Sequence, residues 1–183
     1  MNRRAKSPDE TRRKLLDAGL RVFGTISFGS AKLHDVAVEA GVTRGAISWH
    51  FKNKQSLFRE MLLDFSTEKF NAVLGIYNSG ETPMRILEML IDYHLKHLDE
   101  FYLLVSALSC SSLERPEGLE DVFSYMDEKF SEFFASHSEL IINGINDGVF
   151  RGDLDPDFHS RSFYTYLWGV YLNRYRLFSS YDT

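Results

Sequence analysis

In Ala40-Gly41-Val42-Thr43-Arg44-Gly45-Ala46-Ile47-Ser48-Trp49-His50-Phe51-Lys52-Asn53-Lys54, a glycine closes one run of helical spacing and a threonine opens the next. Glycine readily takes the left-handed conformation that ends a helix, and a threonine hydroxyl caps the first amides of the following one. The stretch therefore predicts a tight turn between two short helices, the second reaching about Phe51. With side chains stepping about 100° per residue, Ala46, Ile47, His50 and Phe51 share one arc of that helix. Arg44, Gly45, Ser48 and Trp49 share the other.

Upstream, Ser7-Pro8-Asp9-Glu10 has the form of a capping box with proline at the first helical position. It predicts a first helix with Leu16, Gly19, Leu20 and Phe23 inward, preceded by a basic arm at residues 2–6. Phe28-Gly29-Ser30 reads as a turn, and Leu33, Val36, Ala37 and Ala40 as a second helix closed by Gly41. Downstream, Asn53 caps a long fourth helix with Leu57, Phe58, Met61, Leu62 and Phe65 inward. Thr82-Pro83 opens another helix to about Leu98, and an apolar helix follows over residues 101–111. Pro116 opens a helical region to about Asp147, interrupted in pattern at Ser136-His137-Ser138, and Asp155-Pro156 opens the last helix. No period-2 run rich in β-branched residues appears, so the class is all-α.

Of the 183 residues, 44% are hydrophobic, enough for a real core. No run approaches the roughly 18 uninterrupted apolar residues of a membrane span, and the polar start does not read as a signal peptide. The expectation is a cytoplasmic protein with no membrane partner. Cys110 is the single cysteine, which excludes an intramolecular disulfide and reads as a packing residue. The net charge of -5 hides an asymmetry. Residues 1–63 hold twelve Lys/Arg against six Asp/Glu, while the remaining 120 hold nine against twenty. The first third is thus equipped to meet a polyanion.

A helix that enters the major groove shows small or hydrogen-bonding groups on one side and packs its other side on a partner helix. Arg44 can reach a guanine edge or a phosphate, and Thr43 can put its hydroxyl on phosphate while capping. Gly45 lets backbone approach DNA closely, and Trp49 offers an indole N–H on an exposed face. Lys52 and Lys54 flank the next helix start, where amide groups also favour phosphate. Ser48 lies on the same reading side, whereas His50 falls on the buried arc and reads as structural.

Residues 11–62 resemble the DNA-binding domain of the tetracycline-repressor (TetR) family of transcription regulators. Leu15-Leu16-Asp17-Ala18-Gly19-Leu20-Arg21-Val22-Phe23 is similar to the family's first helix, and 33–43 to its second helix and turn. Arg44-Gly45-Ala46-Ile47 with Trp49-His50-Phe51-Lys52-Asn53-Lys54 resembles most the AcrR-type subgroup, often repressors of multidrug-efflux genes. Weaker similarity at Gly144, Gly148, Phe150, Arg151, Asp153, Asp155 and Pro156 matches the link between the family's seventh and eighth helices. The resemblance implies an Ω-like homodimer, a palindromic double-stranded operator, and a small-molecule inducer in the C-terminal domain that releases DNA. Three departures stand out. Ser48 occupies the place of a phosphate-contacting tyrosine. Ser27 and Lys32 replace a turn glycine and a Ser/Thr cap, with Ser30 as substitute cap. After the eighth helix, little chain remains for a ninth.

These readings divide the chain into a helix-turn-helix DNA-binding domain, 1–53, and a helical ligand-binding and dimerisation domain, 54–183. Of 26 aromatic residues, 21 lie after residue 63. The last helix carries Tyr164, Trp168, Tyr171, Tyr175 and Phe178, with a second row at Phe163, Leu167 and Val170, a pattern suited to burial between its own domain and a second subunit. Tyr93, His94, Phe101, Phe130, Phe134, Tyr164 and Trp168 are the candidates for a pocket that takes a small hydrophobic or aromatic ligand. An acidic, aromatic cavity would also suit a planar cation. His94 and His97 stand at i and i+3, too few for a metal site, and no cofactor motif appears. No nucleophile elbow or acid/base pair is readable, so no enzyme is expected. An activator, a ligand-independent regulator, and a carrier or enzyme with an incidental basic domain remain as alternatives.

Overall fold

The computed structural model describes residues 8–114 and 116–178, which form eight helices and no strand. They are α1 (Pro8–Thr25), α2 (Leu33–Glu39), α3 (Arg44–His50), α4 (Lys54–Tyr77), α5 (Pro83–Lys96), α6 (Leu98–Glu114), α7 (Glu120–Asn146) and α8 (Pro156–Phe178). The basic arm and Ser7 lie outside the described residues, as do the side chains of Cys110, Tyr175 and Phe178.

Two compact units form. The first joins Leu103–Val122 to the chain up to Phe65, and the second joins Ser66–Tyr102 to the chain from Phe123 onward. By packing, the chain thus divides inside α4.

In the first unit, Leu15, Leu16, Phe23, Val36, Ile47, Phe51, Leu57, Phe58, Met61 and Leu62 are all buried. Phe58 meets Phe23 and Phe28 with ring centroids 4.8 Å away in each case, at angles of 72° and 50°. Gly24 is required by space, since a Cβ there would lie 2.9 Å from the Leu103 Cα. That absence of a side chain lets α6 cross α1 at backbone distance.

The capping residues act as their spacing predicts at Asn53 and Asp155. Asn53 Oδ1 accepts from the Ser56 amide at 2.8 Å, and Asp155 Oδ1 from the Phe158 amide at 3.0 Å. At α2 the cap is different from the expected serine. The Lys32 amide donates to Asp35 Oδ2 at 2.8 Å, so the carboxylate of the first turn takes the role, while Ser30 Oγ pairs with Ser27 Oγ at 3.2 Å.

Two boundaries also differ. α5 and α6 meet at His97 alone, whose backbone (φ -108, ψ 23) bends the chain without a loop. α7 begins at Glu120, after Gly118 at φ +79, and passes through Ser136-His137-Ser138 unbroken. The polar residues there turn inward to partners. His137 Nδ1 lies 2.7 Å from the Tyr77 hydroxyl, and Ser138 Oγ donates to Asp157 at 3.0 Å.

Candidate nucleic-acid interface

The α2–α3 turn is built from backbone. Ala40 N–H donates to Val36 O at 2.9 Å, Gly41 N–H to Val38 O at 3.0 Å and Val42 N–H to Ala37 O at 3.0 Å. Gly41 sits at φ +63, where L side chains are strained, and Thr43 (φ -76, ψ 156) restarts the helix. Thr43 Oγ1 accepts from the Ala46 amide at 3.2 Å, which leaves its hydroxyl hydrogen free to donate outward.

This cap sets the phase of α3. Ile47 and Phe51 are each 1% exposed, and Ala46 and His50 are half-buried. Arg44, Gly45, Ser48 and Trp49 are exposed, Trp49 at 71%. The His50 imidazole meets the Trp49 indole edge-on, with centroids 4.6 Å apart. A large aromatic so open to solvent forgoes most of the transfer free energy its area could supply.

The unit's cations fall into two groups. Along α1 and α4 they are matched to carboxylates: Arg12 to Glu60 at 2.5 Å, Arg13 to Asp17 at 3.0 Å and Asp64 at 2.9 Å, and Lys14 to Glu10 at 2.7 Å. Arg21 pairs with Glu39 at 2.6 Å, and Arg59 with Asp121, which draws the Arg59 pKa up and the Asp121 pKa down through their hydrogen bond. The side chains of Lys32, Arg44 and Lys52 are exposed and pair with no carboxylate among the described residues. These three bracket α2 and α3.

Lys54 departs from the expectation. Its ammonium is turned into the unit, where it donates to Phe28 O at 2.5 Å, Ala31 O at 3.0 Å and Gly29 O at 3.3 Å. It also lies 4.4 Å from the Phe28 ring centroid. An ammonium has three donors, and three carbonyl oxygens take them. Nothing in the sequence flags this, because carbonyl acceptors carry no side-chain signature.

In the second unit, the seven residues read as pocket candidates fall into two aromatic groups. Tyr93, His94 and Phe101 gather at Tyr171, which stacks on Phe101 at 5.0 Å and 7° and whose hydroxyl lies 2.7 Å from His94 Nδ1. Tyr164 stacks on Phe133 at 5.5 Å and 6° and meets Phe134 edge-on, while Phe130 contacts Trp168 at 6.1 Å. The Tyr77 hydroxyl bridges the Tyr164 hydroxyl, at 2.8 Å, and His137.

Burial lowers the pKa of His94 to about 4, with His97 adding to it, and burial alone lowers His137 to about 4. Burial likewise pushes Tyr77, Tyr164 and Tyr171 up, so all five groups are uncharged near pH 7. His94 Nε2 is buried without a hydrogen-bond partner among the described residues.

Two concavities of this unit lie elsewhere. A groove of about 790 Å³ runs along α8 past Phe158, Arg161, Thr165, Tyr166, Gly169 and Asn173. A polar one of about 460 Å³ lies between Tyr77, Glu81, Glu139 and Asp147. None of the seven lines either. Among the described residues no group of three His, Cys, Asp or Glu could hold a metal ion, and no helix is long and apolar enough to cross a membrane.

The family model for bacterial regulatory proteins, tetR family, matches residues 15–61. The HTH-type transcriptional regulator AcrR of Shigella flexneri is 52% identical over 52 residues, which cover 28% of this chain and 24% of that protein. The local match therefore spans about a quarter of AcrR. The HTH-type transcriptional regulator SrpR of Pseudomonas putida is 31% identical over 163 residues, covering 81% of this chain and 73% of SrpR. Among solved structures, the probable transcriptional regulatory protein RHA5900 matches with a TM-score of 0.69 and 26% identity, over 87% of this chain and 84% of that one.

Proposed function

The chain belongs to the tetR family of bacterial regulatory proteins and is a DNA-binding regulator of transcription, AcrR-like in its reading segment, and on that premise we propose a homodimeric repressor released by a small ligand. The observation that carries the DNA contact is the exposed half of α3. Among the described residues, Thr43, Arg44, Gly45, Ser48 and Trp49 use their surface within the subunit only for one cap and for the Trp49–His50 ring contact, and Lys52 adds a charge with no carboxylate beside it after the end of the helix. In the proposed complex, residues 1–53 read the major groove and residues 54–183 bind ligand and partner.

Homodimer formation is supported by the open face of α8, where Phe158 is 64% and Tyr166 75% exposed. Two such faces bury each other's apolar surface and set two reading helices at the spacing of a palindromic operator. Tyr166→Glu is expected to yield monomers in sedimentation equilibrium, and an undisturbed dimer would remove α8 from the interface.

The ligand reading rests on the two aromatic groups. Their polar members are neutral near pH 7, which favours a hydrophobic or aromatic ligand with a polar atom for a group such as His94 Nε2, and disfavours a cation. Ligand binding releases DNA only through unequal affinity for the bound and released arrangements. Control of an efflux gene is proposed from the AcrR resemblance.

The deciding experiment is selection of duplexes from a random pool by the purified protein, followed by a salt series on the retained sequence. A palindromic consensus and a log-log slope of about -0.9 per phosphate neutralised are expected. No enrichment together with a flat salt response would overturn the reading. Screening aromatic compounds for release of that duplex then tests the ligand.

A further inference from the structure

We infer that Lys54 is a positioning residue of the DNA-reading head and not one of its phosphate contacts. The first residue of α4 is joined through its side chain to the turn that precedes α2. Its three carbonyl acceptors, Phe28, Gly29 and Ala31, stand 26, 25 and 23 positions earlier in the chain. Between clamp and turn lie the whole of α2 and α3. Lys54 therefore closes the segment that carries the reading helix, joining its two ends at one ammonium.

The site is built for a cation that stays in place. Phe28 presents both its carbonyl and its ring to Nζ, and that ring packs against Phe58 of α4 at 4.8 Å. Ala31 is 1% exposed. Carbonyl dipoles converging on an ammonium, with an aromatic face behind it, hold charge in a partly buried place where a free lysine head would be poorly solvated. The contrast with Lys52, two residues earlier and exposed, is direct. Because the ammonium is committed within the subunit, it releases no counterion from DNA. Its contribution to binding is to fix the start of α2 against the start of α4, so that α3 meets the groove in one orientation.

The test uses the full chain and a fluorescein-labelled duplex selected by the wild-type protein from a random pool. Binding is followed by anisotropy across a salt series for Lys52→Met, Lys54→Met and Lys54→Arg, with thermal melts to establish which variants are folded. Lys52→Met is expected to make the log-log salt slope shallower by about 0.9. Lys54→Met is expected to weaken binding roughly tenfold at every salt, comparable to one lost hydrogen bond to a charged group, with the slope unchanged. Lys54→Arg keeps the charge but brings a planar fork to three converging oxygens, and is expected to stay weakened.

A shallower slope for Lys54→Met with full affinity restored by Lys54→Arg would overturn the inference in favour of a phosphate contact. A folded Lys54→Met that binds as the wild type does would overturn it too. Where Lys54→Met is unfolded, Lys54→Arg decides alone. Amine acetylation of the DNA-free protein adds a readout independent of binding: Lys54 is expected to react more slowly than Lys52, and equal rates would contradict the clamp.

Discussion

Leaving aside its two chain neighbours and its own helix backbone, the one atom of the described residues within 4 Å of where a Cβ on Gly45 would sit is Thr43 Oγ1, at 3.8 Å. The fold therefore leaves room for a side chain, and glycine in a helix costs up to about 1 kcal/mol against alanine. On the proposed reading, glycine here lets the helix backbone approach DNA closely. Gly45→Ala is expected to raise unfolding stability by a few tenths to about 1 kcal/mol while weakening DNA binding. Urea titration and anisotropy on the same preparation check the two signs together.

Trp49 and Ile47 separate the exposed side of α3, proposed to read DNA, from its packing side. Trp49→Ala is expected to leave stability within about 0.5 kcal/mol and to reduce DNA affinity, because the indole is exposed. Ile47→Ala, at a position 1% exposed, is expected to cost about 2–5 kcal/mol of stability. Thermal denaturation of both variants distinguishes them, and similar losses of stability would contradict the assignment of faces.

Ser48 is exposed on the same side of α3 as Trp49, where the family resemblance places a tyrosine. Ser48→Tyr adds a phenolic hydroxyl and an aromatic surface toward the phosphates, a gain on the order of 1 kcal/mol. The operator affinity of this variant is expected to rise at fixed salt. An unchanged or weaker affinity would show that the serine is already matched to its DNA.

The buried histidines of the second unit make stability fall with acid. Unfolded, each titrates near its ordinary 6.5, and folded near 4. Between those values the unfolded chain binds more protons, so stability present at neutral pH declines as the pH drops from about 6.5 toward 4. Each histidine accounts for about 3 kcal/mol over that window. Urea midpoints measured at pH 7 and pH 5 check the direction, and no acid-side loss would contradict the burial of these rings.

Much of the reading head was legible in advance. Helical period alone separates Ile47 and Phe51 from Arg44 and Trp49, and one threonine and one glycine set the turn between α2 and α3. Caps at Asn53 and Asp155 follow from local hydrogen-bonding chemistry within three residues. Other features were not legible. The polar run at Ser136-His137-Ser138 suggests a break only when its partners, Tyr77 and Asp157, are unseen. The seven aromatic pocket candidates share a composition, yet composition does not say that three gather at Tyr171 and four near Phe133 and Phe70.

By itself the sequence determined that this is an all-α chain with a basic, helix-turn-helix first third. Those properties depend on neighbours three and four positions apart, on caps and on composition. Only the tertiary structure decided which basic side chains have a carboxylate beside them. Arg12, Arg13, Arg21 and Arg59 look as free in the sequence as Lys32, Arg44 and Lys52, and Lys54 looks freer than most. Their partners lie 18 to 62 positions away for Arg21 and Arg59, and a charge is neutralised by what stands beside it in space.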